Sequence, residues 1–582
     1  MKRILKTLNK LDYLIVLLCI MFIVGQVWLD LTMPDYMNKI TTLLQTEGQI
    51  GDILKNGGMM VLCALGSLAL SFLVGYFVSK LAAKIGMNFR EQIYDKVGSF
   101  SKYEISKFST SSLITRCTND TTQVQNLVAM GLQIIVKSPI LAIWAICKIL
   151  GKSWQWSVVT LIAVVFMLIA ITVVIILCLP RFKIIQKQTD DLNRVTRENL
   201  TGIRIVHAFN AESFQEEKFD EVNTNLTKTH TYTSKALSFL SPILQFVIGG
   251  LSLAIYWVGA YIINGASMMD KIGLFSDMVV FLSYAMQVVS AFIMLVIVFM
   301  LLPRTIVSIK RIEEVLTCSP SINDGSGATT KQVGTIEFKD VNFRYPDGQD
   351  YVLSNINLKI EKGETVAFIG ATGSGKTTLV DLVPRFYDAT SGEVLIDGQN
   401  VKNFTLEDLR NRIGYVSQKA IILSGTVFDN ISMGHDIETK DVINAIDYAE
   451  AKEFVDKMEK KENAVIYQSG KNISGGQKQR LSIARAIAKK PEFIIFDDSF
   501  SALDYKTDKK LRTTLDKKFK GITRLIVAQR IGTIKNADKI VVVDNGKIVG
   551  VGTHEELLDT NKVYKEIALS QLSEEELKNG SK

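Results

Sequence analysis

Six apolar stretches, each long enough to cross a lipid bilayer as a helix, constrain the fold of this chain more than any other feature. A membrane-spanning helix needs about 20 consecutive, mostly apolar residues. The stretches all lie in the first part of the 582-residue sequence: Leu11–Leu31, Met59–Val78, Leu127–Leu150, Val158–Leu179, Ala236–Ile263 and Met278–Leu302. The sequence therefore predicts an α-helical membrane domain with six transmembrane helices, surrounded by a lipid bilayer.

The composition supports a chain with two unlike halves. Hydrophobic residues make up 47% of the sequence and charged residues 22%, and the charged residues concentrate outside the apolar stretches. The formal net charge is +8, but no stripe of alternating aromatic and basic residues indicates a nucleic-acid surface. No C-x-x-C spacing indicates a zinc site or a disulfide framework. These patterns exclude a nucleic-acid-binding protein and a disulfide-rich secreted one.

The loops between the apolar stretches predict the orientation. Loops 80–125 and 181–235 are long and rich in lysine and arginine, which places them and both termini in the cytoplasm. The basic segment Met1–Lys10 has no cleavage site and is predicted to be an interfacial helix. Amphipathic segments at 100–120 and 198–212 lie at the turning points of the two loops. They fit a contact surface below the bilayer, although their periodicity alone equally fits ordinary solvated helix ends.

Two lysines interrupt the third apolar stretch. Lys148 lies near its end, where a long side chain can extend to the membrane surface. Lys137 lies deeper, and a charged residue at such a position is a functional candidate by default. We expect Lys137 to face the bundle interior or a protein interface rather than to bind substrate.

The pattern changes after the sixth stretch. Residues 318–334 are rich in Ser, Gly, Asn and Thr and are predicted to be a linker between a membrane domain, 1–317, and a second domain, 335–582. Short apolar runs typical of a buried parallel sheet follow: Val366–Ile369, Phe493–Phe496, Leu525–Ala528 and Ile540–Val543. The second domain is therefore predicted to be α/β.

The segment from Gly370 to Thr377 reads G-x-x-x-x-G-K-T between a predicted strand and a predicted helix. In this context its backbone N–H groups can surround phosphates, Lys376 can neutralise them and the Thr377 hydroxyl can hold Mg²⁺. A simple glycine turn would not require that lysine and threonine. The predicted nucleotide-binding residues are Gly370, Thr372, Gly373, Ser374, Gly375, Lys376, Thr377 and Thr378.

Three further segments fit an ATP and Mg²⁺ site. Tyr345 is suited to stacking on adenine, which alone is a weak signal. Gln418 follows a predicted strand and offers a neutral amide to Mg²⁺ or to an attacking water. The run Ser474, Gly475, Gly476 and Gln477 opens a predicted helix, and such a helix start can bind an anion.

Taken together, these motifs resemble those of a half-transporter of the ATP-binding cassette exporters, with the type IV exporter fold. The resemblance covers nearly the whole chain and includes Tyr345, Gln418, Ile473–Gln477, Phe493–Asp497, Ser501–Asp504 and Gly552–Leu557. It implies two subunits that enclose two ATP molecules, each between the phosphate loop of one subunit and the signature Ile473–Gln477 of the other. Ser474, Gly475, Gly476 and Gln477 of the signature and Asp504 of the separate segment Ser501–Asp504 are thereby implied to bind nucleotide. It also implies that Asp497 holds Mg²⁺ through water, and that 100–120 and 198–212 contain coupling helices.

The chain departs from this family's pattern at the catalytic positions. Asp498 stands where the family usually has a glutamate general base. Aspartate is one methylene shorter, which leaves the carboxylate about 1–1.5 Å back. A displacement of about 1 Å can cost about a hundredfold in rate, unless the swap is simply tolerated. Gln529 stands at the family's histidine, and it can neither become cationic nor pass a proton. Gln468 also replaces a common glutamate.

These departures predict that the chain's own site binds ATP but hydrolyses it weakly. Its signature is nearly intact, so Ser474 and Gly476 can complete a working site on a partner. The pattern resembles the degenerate-site half of a heterodimeric multidrug exporter in a bacterial inner membrane, with the nucleotide-binding domain in the cytoplasm. The expected substrates are amphipathic small molecules. The alternatives are a lipid or peptide translocator, an importer built on the exporter fold, and an ATP-gated regulator that does not pump.

Overall fold

The computed structural model describes residues 9–150, 154–330 and 333–571. Residues 1–8 of the predicted interfacial helix, 331–332 of the predicted linker and 572–582 of the predicted second domain lie outside them. The chain divides into two compact units. One combines the residues up to Lys96 with Ser111–Cys318, and the other combines Val97–Thr110 with the residues from Ser319 onwards.

The first unit consists of long helices. Six helices of the described chain are long and apolar enough to span a membrane, which confirms the predicted number. The helices up to residue 317, including the short α3 of the second unit, are α1 Lys10–Gln45, α2 Ile50–Gly98, α3 Lys102–Phe108, α4 Thr110–Leu150, α5 Trp154–Ala208, α6 Glu212–Ser238, α7 Leu240–Gly265 and α8 Met268–Thr317.

Most of these helices extend well beyond their apolar stretches. Helix α5 has 55 residues, about 80 Å at 1.5 Å per residue, whereas a bilayer core is about 30 Å thick. The two predicted loop segments differ in structure. The first contains the separate helix α3, which Ser101 caps through its hydroxyl. The second has no helix of its own, because 198–208 is the end of α5 and α6 begins at Glu212.

The second unit is a mixed α/β structure with β-strands β1 Ile336–Phe343, β2 Leu353–Ile360, β3 Thr365–Ile369, β4 Ser391–Ile396, β5 Gln399–Asn400, β6 Ile413–Val416, β7 Gly425–Thr426, β8 Val465–Ile466, β9 Phe493–Asp497, β10 Thr523–Val527, β11 Lys539–Asp544 and β12 Lys547–Gly552. Its helices are α9 Lys376–Asp381, α10 Leu406–Asn411, α11 Val427–Ser432, α12 Thr439–Tyr448, α13 Lys452–Asp456, α14 Gly475–Ala488, α15 Tyr505–Lys518, α16 Ile531–Ile534, α17 His554–Thr560 and α18 Lys562–Leu569.

The central sheet has six strands in the order β12-β11-β3-β10-β9-β6. All neighbouring pairs from β11 to β6 are parallel, and β12 is an antiparallel edge strand. The carboxyl ends of β3, β10, β9 and β6 therefore meet at one edge. Ligands in such sheets bind outside the carboxyl ends of the strands, so the fold brings the segments after these four strands together.

The parallel strands of this sheet are largely buried on both faces, as their continuous apolar runs predicted, whereas the edge strand β12 is partly exposed. Strands β3 and β9 are fully buried. Ala367 and Phe496 belong to the apolar cluster on one face, which includes the helices from α11 to α14. Phe368 and Ile495 belong to the cluster on the other face, beneath β1 and β2. Burial on both faces fixes the positions of the strand ends.

Near the end of the described chain, His554 supplies a pH-dependent contact. Its Nδ1 lies 2.6 Å from the Tyr564 hydroxyl, and burial lowers the pKa of its imidazole. Because the folded state favours the neutral ring, its contribution to stability is present above the unfolded pKa of about 6.5 and is lost as the pH falls below it.

We therefore expect the wild type to lose more stability than His554→Gln between pH 7 and pH 5. Thermal unfolding of the full chain at both pH values measures the difference. Equal losses in the two proteins would show that this imidazole does not titrate differently in the folded state.

Candidate functional site

The phosphate loop lies between β3 and α9, as predicted. The Lys376 ammonium donates to the carbonyl oxygens of Gly370 (2.9 Å) and Ala371 (2.7 Å) and to the Ser374 hydroxyl (3.3 Å). The lysine side chain is thus folded over the loop that leads to it. Burial lowers the pKa of its ammonium, against the opposing effect of Asp498 and Asp497. A partly desolvated cation above a ring of backbone groups is suited to a polyanion.

Two glycines of the loop lie where a side chain would clash or be strained. A Cβ at Gly370 would lie 2.0 Å from the Val543 carbonyl oxygen of β11. Gly375, which caps α9, has φ +101°, and a Cβ there would lie 2.8 Å from a Leu353 methyl carbon. The G-x-x-x-x-G spacing therefore reflects close backbone approach at one glycine and a left-handed conformation at the other.

Two of the three predicted magnesium ligands, Thr377 and Asp497, are adjacent, whereas the amide of the third, Gln418, donates to Asp498. The Thr377 hydroxyl donates to Asp497 Oδ1 at 2.7 Å, so a hydroxyl and a carboxylate from α9 and β9 meet at one point. No group of three or more His, Cys, Asp and Glu side chains within 9–150, 154–330 and 333–571 is placed to hold a metal. Mg²⁺ in nucleotide sites needs only one or two carboxylates beside the phosphates, so these oxygen donors fit Mg²⁺ bound together with a nucleotide.

Asp498, at the predicted base position, is held by two amides. Gln418 Nε2 (3.1 Å) and Gln529 Nε2 (3.0 Å) both donate to the same oxygen, Oδ2. The backbone at Asp498 has φ +46°, and its N–H donates to Val527 O of β10. All three predicted catalytic residues therefore meet, and Gln529 lies where it can contact the base.

The carboxylates of this edge are desolvated. Burial is the largest influence on Asp497 and Asp498, and it raises the pKa of each above the ordinary value. Nearby acids with raised pKa values beside a lysine with a lowered one are typical of functional sites.

Tyr345 lies beside the phosphate-loop helix. Its hydroxyl is 2.9 Å from Thr378 Oγ1, and its ring packs edge-on against Phe343 and Tyr387. It lines a cleft of about 290 Å³ together with Tyr387 and Pro346. This position is compatible with the predicted stacking on adenine.

The signature forms the start of α14. Ser474 accepts from the Gln477 N–H (3.3 Å), and its own N–H donates to Gln477 Oε1 (2.8 Å). A Cβ at Gly475 would meet no atom within 4 Å, and this residue is exposed. Asp504 caps α15 by accepting from the Thr507 N–H, and that bond lowers the pKa of its carboxyl group.

Sequence reasoning missed three residues next to this site. Asp381 and Tyr415 lie within hydrogen-bonding distance of each other, and Lys102 of α3 forms an ion pair with Asp381. The only signal in the sequence was an aspartate, Asp381, within the apolar run Leu379–Leu382 of the predicted helix.

Comparisons with known proteins identify matching family models, relatives and a similar fold. Residues 353–501 match the family model described as ABC transporter, and 16–292 match the one described as ABC transporter transmembrane region. The chain is 35% identical over 523 residues to an uncharacterised ABC transporter ATP-binding protein of Mycobacterium tuberculosis, covering 88% of this chain and 87% of that protein. A second uncharacterised ABC transporter ATP-binding protein, from Bacillus subtilis, is 34% identical, covering 88% and 89%.

Two more distant matches carry more specific descriptions. An ATP-dependent lipid A-core flippase of Pseudoalteromonas translucida is 29% identical, covering 90% of each chain. The structure of a bacterial Atm1-family ABC exporter with ATP bound superposes with a TM-score of 0.80 over 97% of this chain and all of that one, at 22% identity. This last likeness concerns the fold.

Proposed function

Because the chain belongs to the ABC transporter family, with a six-helix membrane region and an ATP-binding domain, we propose that it exports amphipathic small molecules as one half of a heterodimer. Its ATPase is coupled to translocation. We propose further that its own ATP site binds nucleotide but hydrolyses it weakly, and that most turnover occurs at the site which its signature completes on a partner half-transporter. The membrane would be the cytoplasmic membrane, with the ATP-binding domain in the cytoplasm.

The site residues have distinct roles in this proposal. Lys376 and the loop N–H groups bind the phosphates, and Tyr345 contacts the adenine. Thr377 and Asp497 hold Mg²⁺, with Gln418 nearby, and the ion supplies charge stabilisation to the transferred phosphoryl group. Ser474 and the N–H groups after it serve the partner's nucleotide. Asp498 and Gln529 stand where a base and its orienting group are needed.

The observation that carries the weak-hydrolysis proposal is the position of the Asp498 carboxylate. One of its oxygens accepts two amide hydrogen bonds, from Gln418 and Gln529. Such bonds favour the charged form and occupy lone pairs that a water proton would otherwise approach. The short side chain also lies back from the position a glutamate would reach. Burial alone makes Asp498 a stronger base, but a base must also reach its water.

A second candidate function is lipid translocation. The support is the relative described as a lipid A-core flippase, which aligns over 90% of this chain. A lipid is itself amphipathic, so both candidates require the same machinery and differ in the substrate that the membrane unit accepts.

The test is ATP turnover by the chain purified alone, and then co-purified with a second half-transporter of the same organism and reconstituted into liposomes. We expect negligible turnover alone, robust turnover with the partner, and ATP-dependent movement of an amphipathic dye. Movement of a labelled phospholipid instead would favour the lipid candidate.

Two results would contradict the proposal. Robust turnover by the chain alone would mean that Asp498 is an adequate base and that no partner is needed. ATP turnover by the complex without movement of dye or lipid would favour the ATP-gated regulator over a pump.

A further inference from the structure

A chain of polar contacts joins helix α3 to the predicted magnesium carboxylate. The Lys102 ammonium donates to Asp381 Oδ2 at 2.8 Å, and Asp381 Oδ1 accepts from the Tyr415 hydroxyl at 2.9 Å. The same hydroxyl lies 3.4 Å from Asp497 Oδ2, and Asp497 Oδ1 accepts from Thr377. All of these residues belong to the second unit.

The middle of this chain is buried, whereas its beginning is exposed. Asp381 is 1% exposed, while the Lys102 side chain is 56% exposed. A buried carboxylate needs a partner, because an unpaired charge in the interior is costly. Asp381 has two partners, one on each oxygen, and only Lys102 comes from outside the nucleotide-binding fold. Movement of α3 would therefore change the charge balance of a buried acid.

Helix α3 is held by further contacts that would move with it. The Ser321 N–H donates to Glu104 Oε1 at 3.0 Å, and Ser101 lies 2.9 Å from Ser321 through their hydroxyls. Tyr103 donates to Asp347 at 3.2 Å. Only three residues separate Lys102, the first residue of α3, from the end of α2, a membrane-spanning helix.

The Tyr415 hydroxyl has a single proton and two carboxylates within reach. It can donate fully to Asp381 or to Asp497, but not to both. The Lys102 charge weakens Asp381 as an acceptor, since the carboxylate shares its negative charge with the ammonium. With Lys102 in place the hydroxyl is partly available to Asp497. Without Lys102, Asp381 holds the proton more strongly, and Asp497 keeps its lone pairs for the metal shell.

We propose that Lys102, Asp381 and Tyr415 are positioning residues that report the position of α3 to the magnesium carboxylate Asp497. This proposal rests on the proposed function, since it assumes that Asp497 serves a magnesium nucleotide. The engaged ion pair lowers the affinity for Mg²⁺–nucleotide, and its release raises that affinity. ATP binding is thereby made sensitive to the membrane unit through one hydroxyl.

The test compares the affinity for a fluorescent ATP analogue in excess Mg²⁺ with that in excess EDTA, using the full chain in nanodiscs. The ratio of the two affinities isolates the contribution of Mg²⁺ to binding. Binding of the analogue to the Lys376→Ala variant, which lacks the phosphate-loop lysine, measures the background from any other site. We expect Lys102→Met and Tyr415→Phe each to raise the ratio about threefold, an interaction of the size expected for contacting residues. The EDTA affinity should not change, because neither residue contacts the phosphate loop.

The double variant decides whether the hydroxyl carries the effect. In the Tyr415→Phe background, Lys102→Met should add less than about 1.5-fold, because only through-space electrostatics remains. Lys107→Met is the matched control, since it removes an exposed lysine of the same helix, and it should leave the ratio unchanged.

Other outcomes overturn the proposal. The same Lys102→Met factor in both backgrounds would show that Tyr415 transmits nothing. If Lys102→Met leaves the ratio unchanged, or if Lys107→Met changes it as much, then the Lys102–Asp381 ion pair only holds α3 in place and does not affect Mg²⁺ binding. A wild-type chain that binds no nucleotide in Mg²⁺ would instead refute the proposed function and the relay with it.

Discussion

Combining Asp498→Glu with Gln529→His is expected to raise ATP turnover at this chain's own site by about a hundredfold. The glutamate carboxylate reaches one methylene further than Asp498, towards the water that a base must contact. The histidine replaces an amide that donates to Asp498 Oδ2 at 3.0 Å with a group that can carry charge. We expect Asp498→Glu alone to give about tenfold, since Gln529 would still hold the carboxylate.

This measurement requires that the partner's ATP site contribute no ATP hydrolysis. Gly475→Asp in the same chain achieves this, because the signature of this chain serves the partner's nucleotide and a negative charge there repels phosphate. The variant should fold, since a Cβ at Gly475 meets no atom within 4 Å. Turnover is then measured in the Gly475→Asp heterodimer with and without the two catalytic substitutions.

Matched variants make the result decisive. Asp498→Asn keeps the shape but removes the carboxylate, and it should abolish the residual turnover of the Gly475→Asp protein. If Asp498→Glu with Gln529→His adds nothing to that turnover, the weak-hydrolysis proposal is wrong. Turnover that Gly475→Asp removes completely in every background would indicate that the same chain forms both sites, as in a homodimer.

Local motifs made much of this site predictable. The phosphate loop needs glycines, a lysine and a threonine within eight residues, and a strand and a helix around it, all of which the sequence displays. The buried strands β3 and β9 were recognisable as continuous apolar runs, because a parallel sheet covered on both faces leaves no polar alternation. The acids after β9 could then be assigned to the same edge.

Contacts between distant segments were not predictable. Lys102 and Asp381 are 279 positions apart, and no periodicity relates them. Gln418 and Gln529 were each assigned a role, but their convergence on one oxygen of Asp498 depends on side-chain geometry. The sequence also did not show that segment 198–212 lacks a separate short helix and that its first part is the end of α5. An amphipathic pattern is the same whether it continues a long helix or forms a short one.

In the membrane unit, the partner of Lys137 was likewise not predictable from the sequence. We expected Lys137 to face the bundle interior or an interface, and its side chain is 16% exposed. The sequence did not identify its partner, which is Asp30 of α1, with Nζ 3.2 Å from Oδ2. The Ser67 hydroxyl also donates to Asp30 Oδ1 at 2.5 Å, so three helices meet at this carboxylate.

Lys137→Met is therefore expected to destabilise the membrane unit by about 3 kcal/mol. The substitution preserves side-chain length and leaves the mostly buried Asp30 carboxylate with the Ser67 hydroxyl but without its cation. Thermal stability of the full chain in a mild detergent, followed by the fraction that remains monodisperse after heating, measures the loss. Adding Asp30→Asn should restore most of it, because the unpaired charge is then removed as well.

Lys148→Met is the matched control in the same helix. Lys148 pairs with Asp35 at 2.7 Å, but both side chains are more exposed, at 38% and 39%, and Asp35 keeps the Tyr284 hydroxyl as a donor. We expect a loss of less than about 1 kcal/mol, as for an exposed pair. If Lys137→Met costs no more than Lys148→Met, or if Asp30→Asn deepens the defect, then Asp30 is not the charge that Lys137 neutralises. A polar role for Lys137 towards the transported substrate would then have to be tested directly.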